Sequence, residues 1–214
     1  MALMPAIDQS RHTRERLLDA AEELLLGNGY ETVSVRAICA RADANPAAVH
    51  YHFGSKEELV TALLEARLAP LWAGRLADIP DPPTVTTLVE TILAPLNELL
   101  ADPVGRLRLS LLSRFVLAHP TARWQATWFD LDAWACTLSE AVPGLDAQSA
   151  RRRCRLAFAL LLAQLGPGTE LPPTALAALR EFLIAGLTGT GAAFNRPAPD
   201  FPATDFRSPT KEFP

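Results

Sequence analysis

Lysine is scarce in this 214-residue chain: nearly all of its 20 basic residues are arginine, and 24 acids outnumber them to leave a net charge of −4. A broadly basic, phosphate-gripping surface is thereby excluded, so any nucleic-acid contact has to rest on a local cluster of positive groups. Cysteine is also rare. Cys39, Cys136 and Cys154 are odd in number, share no C-x-x-C spacing and read as buried free thiols. No apolar run reaches the roughly 18 residues that a membrane span needs. The opening MALMPAIDQSRH lacks a basic segment leading into an apolar one, so no secretory signal is expected and the cytoplasm is the expected location. No stretch alternates apolar and polar residues long enough to compete as a strand. Catalytic signatures are missing too: there is no G-x-S-x-G, no phosphate-binding loop and no H-E-x-x-H, and Asp130 and Asp132 diverge on an expected helix. Gly186, Gly189 and Gly191 follow no strand, so they end a helix rather than bind a dinucleotide. Neither an enzyme nor a cofactor nor a metal is expected.

What is present is concentrated in residues 34–59, SVRAICARADANPAAVHYHFGSKEEL, which pack three short helix signals and two sharp turns together. Ser34 can cap a helix whose apolar positions Val35, Ile38, Cys39 and Ala42 turn inward while Arg36 and Arg41 turn out. Asp43 and Ala44 break it. Asn45 can cap the next helix, with Pro46 at its first position, where the missing N–H costs nothing. About two turns follow, residues 47–52, before Gly54 stops them. Ser55 and Glu58 then form a capping box ahead of Leu59, Val60, Leu63 and Leu64. A short helix that is small at Ala47 and Ala48 and polar at His50, Tyr51 and His52 suits a major groove about 12 Å wide. Lys56 falls in the first turn of the next helix, where backbone N–H groups already favour an anion. Arg36, Arg41 and Lys56 can form a positive strip while Glu15, Asp19, Glu22 and Glu23 point elsewhere. Modest affinity with a strong salt dependence is expected.

Residues 14–60 resemble the N-terminal DNA-binding domain of the tetracycline-repressor (TetR/AcrR) family of bacterial regulators. Three pieces carry the resemblance in the right order: L-x-A-A-x-x-L, G-Y-x-x-x-S-V and the block YHFGSKEEL. It implies that Arg36 and the helix from Pro46 to Tyr51 face bases, and that Ser34, Tyr51, His52 and Lys56 touch phosphates. Two departures stand out. Asp43 occupies a turn position where relatives usually have Gly, which requires either Asp at positive φ or a different turn. Pro46 and His50 replace a polar residue and a Tyr found in many relatives, which alters the base-reading set.

The remainder reads as helical. A first helix spans 11–26 with Leu17, Ala21, Leu24 and Leu25 on one face, and Gly27, Asn28 and Gly29 end it. After a helix at 55–77 and a proline-marked loop at 78–84, helices are expected at 85–100, 103–118, 121–142, 147–165 and from 173 to about 189. The expected fold is all-α, with a three-helix helix-turn-helix DNA-binding domain and a C-terminal antiparallel helical bundle for ligand binding and dimerisation. Its parts are a flexible N-terminus at 1–10, the DNA-binding domain at 11–58, the bundle at 59–194 and a Pro-rich tail at 195–214. The last two helices are apolar around much of their circumference, which points either to a homodimer or to the core of a monomeric bundle. The family resemblance implies that they pair with their copies and space two recognition helices about 34 Å apart on a palindromic site.

Trp124, Trp128, Leu131, Trp134 and Leu138 fall at helical spacing just after Phe115 and His119. They can wall a cavity for a small apolar ligand, with His119 orienting the guest, or they can simply be packing. The arginine run Arg151, Arg152, Arg153 and Arg155 reads as a solvated face or as dimer-rim ion pairs, ahead of an acidic ligand or DNA. His50 and His52, two apart on a helix, face away from each other and do not make a metal site. The expectation is a repressor of duplex DNA released by a small apolar effector. The rival, favoured by the acidic balance and by Pro46, is a helical small-molecule carrier or enzyme with a vestigial DNA-binding-like head.

Overall fold

A computed structural model of the chain describes residues 6–166 and 171–189, and these are helical and connecting segments, with no strand among them. Four helices build the head and its connection to the rest: α1 (Ala6–Asn28), α2 (Val35–Arg41), α3 (Ala48–Phe53) and α4 (Lys56–Ala77). Five more make the bundle: α5 (Val85–Ala101), α6 (Pro103–Ala118), α7 (Leu131–Ala141), α8 (Ala147–Gln164) and α9 (Pro173–Thr188), with a 3-10 turn at Thr127–Phe129 before α7. Residues 6–10, expected to be flexible, are the first turns of α1. The expected tail at 195–214 lies outside the described residues.

Short polar side chains start the helices because the first N–H groups of a helix have no partner within it. Ser34, Thr84, Asp102 and Asp146 each accept the N–H three residues on, at 3.1, 3.0, 2.7 and 2.9 Å. Asp130 does the same two residues on, at 2.9 Å from Asp132 N, and this cap is why the expected helix over 121–142 begins only at Leu131. Upstream of it, the Glu65 carboxylate of α4 accepts the backbone N–H groups of Gln125 and Ala126, the latter at 2.7 Å. Those donors therefore face α4 instead of closing helical turns. The aromatic stripe of 124–138 is accordingly split between an irregular segment and α7.

One continuous core runs through head and bundle. Leu17, Leu18 and Leu25 of α1 meet Ile38, Val49 and Leu59 in the head, and Leu68, Leu88, Leu109 and Leu138 continue it into the bundle. Gly105 lets α6 cross the end of α5: a Cβ there would stand 2.3 Å from the Leu99 carbonyl oxygen. Cys39 and Cys154 are buried as expected, and burial pushes the Cys154 thiol up to about 11. Cys136 departs from the expectation and is exposed on α7.

Candidate nucleic-acid interface and effector cavity

The head presents α3 outward. Val49 is buried beneath it, whereas Tyr51 is 81% exposed and His50 is exposed beside it. Asn45, Pro46 and Ala47 lead into the helix on the same outer surface, and Ala48 is half-buried. Asn45 Oδ1 accepts the Ala47 N–H at 2.8 Å, so it does cap this turn, although regular helix begins only at Ala48. Two tethers set the angle of α3: Cys39 Sγ lies 3.6 Å from the Pro46 carbonyl, and Arg16 Nη2 donates to the Asp43 carbonyl at 2.7 Å. Asp43 holds φ +47°, the left-handed option of the two left open by its replacement of Gly. Gly54 at φ +88° ends α3, and Ser55 Oγ accepts the Glu58 N–H at 3.0 Å to start α4.

Ser34 and Arg36 are exposed, and among the described residues the Arg36 side chain has neither a hydrogen bond nor an ion pair. The expected positive strip is otherwise smaller than the sequence implied. Arg41 is paired with Glu23 at 2.5 Å, because α1 runs alongside α2 and brings Glu23 to it instead of turning it away. Lys56 Nζ donates to the Tyr30 carbonyl and sits 4.0 Å over the Tyr30 ring. Desolvation lowers the Lys56 pKa, against an opposing pull from Glu31. The His52 ring stands edge-on to Tyr51 at 4.9 Å, and burial, then the Arg14 charge, lower its pKa from the ordinary histidine value. Glu15, Asp19 and Glu22 do turn away from α3. They converge on Arg67 of α4 at 3.0, 2.5 and 2.7 Å, and Glu22 also takes Arg108 of α6 at 2.6 Å. Desolvation pushes the Glu22 carboxyl up, but the two guanidinium groups outweigh it and hold the pKa below its ordinary value.

The bundle encloses a cavity of about 420 Å³ between α4, α5, α6, α7 and α8. Trp124 lines it, stacked on Phe129 with ring centroids 4.4 Å apart, and Leu131 and Trp134 line it from the start of α7. Phe115 and His119 do not reach the lining. Phe115 is fully buried, and His119 stacks on it at 4.5 Å and meets Tyr30 edge-on at 4.6 Å, with Nδ1 3.0 Å from the Phe115 carbonyl. Both therefore form a joint between α6 and the loop after α1, not a cavity wall. The physical reason is helix rotation: α6 turns Leu112, Val116 and Leu117 to the cavity, while Phe115 and His119, one turn apart, share the face that meets Tyr30. The Trp128 side chain lies outside the described residues. Sequence reasoning missed Trp72, whose indole N–H donates to the Ile92 carbonyl at 3.1 Å, and Phe158, edge-on to Trp134 at 5.9 Å. The apolar periodicity of α4 and α8 contained both, but periodicity does not separate a cavity wall from packing.

These elements define a helix-turn-helix head joined by a long helix to a bundle with an internal apolar cavity. The head, residues 17–63, matches the family described as bacterial regulatory proteins, tetR family. It is similar to the HTH-type transcriptional regulator UidR of Escherichia coli (strain K12), 38% identical over 56 residues that cover 26% of this chain and 29% of UidR. It is similar also to the HTH-type transcriptional regulator TcmR of Streptomyces glaucescens, 40% identical over 65 residues covering 28% of this chain and 29% of TcmR. The matched segment thus spans less than a third of either relative. Over most of its length the chain resembles NalD, the secondary repressor of the MexAB-OprM multidrug efflux pump in Pseudomonas aeruginosa, at 25% identity and a TM-score of 0.58, covering 83% of this chain and 96% of NalD. The multidrug binding protein EbrR, solved with malachite green, shares the fold at 24% identity and a TM-score of 0.55, covering 79% of this chain and 95% of EbrR. No helix among the described residues is long and apolar enough to cross a membrane.

Proposed function

We propose that this chain is a cytoplasmic, homodimeric transcriptional repressor that holds a palindromic operator and lets it go when a small molecule enters the bundle cavity. The observation that carries the reading is the outward-facing α3, with Tyr51 81% exposed, together with an exposed Arg36 that is unpartnered among the described residues, on a head bonded directly to the helix that walls the cavity. Arg36, Asn45, Pro46, Ala47, Ala48 and His50 would face bases. Ser34, Tyr51, His52 and Lys56 would meet phosphates, Lys56 after giving up its bond to Tyr30. Phosphate contacts fix register and base contacts fix sequence. NalD, which shares the fold, is described as a repressor, and EbrR was solved with a bound dye.

Release follows from three links to α4. Residues 125–126 hang on Glu65, so a guest that displaces Trp124 and Phe129 pulls on the middle of α4. Trp72, one helical stretch further along, lines the same cavity. Arg67 passes the displacement to α1 through Glu15, Asp19 and Glu22, and α1 carries α2 and α3. The guest then acts by favouring a dimer whose two α3 helices no longer fit the half-site spacing. A mobility shift with the duplex flanking the chain's own gene tests this. A salt-sensitive specific complex supports the reading, and indifference to every duplex at low salt leaves the carrier or enzyme reading in its place.

A further inference from the structure

The cavity read above as the effector site, on which this inference rests, has one charged residue in its lining among the described residues, Arg155 of α8. Arg155 is exposed, so it stands where the cavity meets solvent, and among the described residues it has no hydrogen bond or ion pair. Its neighbours in the arginine run are occupied differently. Arg151 pairs with Asp132 at 2.5 Å, and Arg153 Nη1 donates to the Leu187 and Thr188 carbonyls at 2.9 Å each, closing the end of α9. The fold therefore uses Arg151 and Arg153, while Arg155 stands at the rim of a wall built of Trp124, Phe129, Trp134 and Phe158 with no acid among the described residues paired to it.

A guanidinium beside a low-dielectric wall attracts an anion more strongly than one on an open surface, and its planar fork matches a carboxylate in two parallel hydrogen bonds. No acidic residue lines the cavity among the described residues, so a cationic guest would meet ring faces but also the repulsion of Arg155, and no second basic residue lines it to hold a polyanion. The volume of about 420 Å³ has room for on the order of fourteen water-sized groups at about 30 Å³ each. Stacked and edge-on aromatic walls favour a flat ring over a flexible chain, because ring faces and edges attract one another in those two arrangements. We infer that the cavity takes a compact, ring-bearing monocarboxylate, with its rings among the aromatic side chains and its carboxylate on Arg155.

Calorimetric titration of the full chain with 1-naphthaleneacetate and with 1-naphthaleneacetamide, which are matched in size and differ in charge, tests the assignment. The wild type should bind the acid at least about tenfold more tightly than the amide. Arg155→Gln should abolish that preference while keeping the affinity for the amide, and Arg152→Gln, exposed in the same run but outside the lining, should preserve it. Equal binding of acid and amide by the wild type, or an undiminished preference in Arg155→Gln, overturns the carboxylate assignment and leaves the cavity as an effector site. Failure of both compounds to bind overturns the cavity reading and this inference with it.

Discussion

Arg36 and Lys56 are both basic and both belong to the head, yet their surroundings give them different work. Arg36 is exposed and, among the described residues, unpartnered, whereas Lys56 is held against Tyr30 by its carbonyl and its ring. Arg36→Ala is expected to cost on the order of 1–3 kcal/mol of DNA binding, mainly at one base position. Lys56→Ala should weaken all sequences alike and lower the salt slope by about one. Footprinting both variants across a salt series checks this, and identical sequence-blind losses would contradict the role given to Arg36. Much at this scale was legible. The capping serines follow from local chemistry that involves only a few neighbouring residues, whereas the turn at Asp43 was left between two options, of which the structure takes the left-handed one. The Arg41–Glu23 pair and the Lys56–Tyr30 contact were not legible, because each joins residues far apart in sequence through the rotation of one helix against another.

Helix α4 is bonded to both halves. Glu65 holds the segment before α7 and Arg67 holds α1, only two residues apart. In Glu65→Gln the two N–H groups of 125 and 126 lose a charged acceptor, worth about 1.5–3 kcal/mol for such a bond. The expected outcome is unchanged DNA affinity without effector and a several-fold higher effector concentration for half-release, read by anisotropy of labelled operator. Glu22 makes a separate prediction about pH. Its folded-state pKa is lowered, so its contribution to stability is complete above the ordinary value of 4.5 and is lost as pH falls through the lowered one. Urea midpoints measured through that window should fall with pH in the wild type, and Glu22→Gln should flatten part of the slope. The expectation of one helix over 121–142 failed at this scale for a definable reason. Helical spacing was real, but Asp130 is a cap and the donors upstream are claimed by a carboxylate sixty residues earlier, which no window of local sequence reveals.

For the whole molecule, the order of helices, the outward α3 and the apolar α8 and α9 were all legible, since each rests on caps, breaks and periodicity. Of the cavity lining, Trp124, Leu131 and Trp134 were legible as a stripe and Trp72 and Phe158 were not, because lining depends on how five helices settle around it. Leu156 of α8 and Phe182 of α9 are each 65% exposed, large apolar groups on two helices packed together. As the proposed dimer face they should be covered by a second copy. Leu156→Glu with Phe182→Glu is expected to convert a dimer to a monomer in sedimentation and to abolish tight operator binding, while circular dichroism stays helical. A monomeric wild type would remove the paired half-site geometry from the account. The most direct test of the central claim is selection of duplexes from a random library by the full chain, followed by sequencing. The account predicts enrichment of a palindrome whose half-sites lie about 34 Å apart on one face of the duplex, with the preference at one base position of each half-site lost in Arg36→Ala. A library that returns from low salt with no enriched sequence would contradict it.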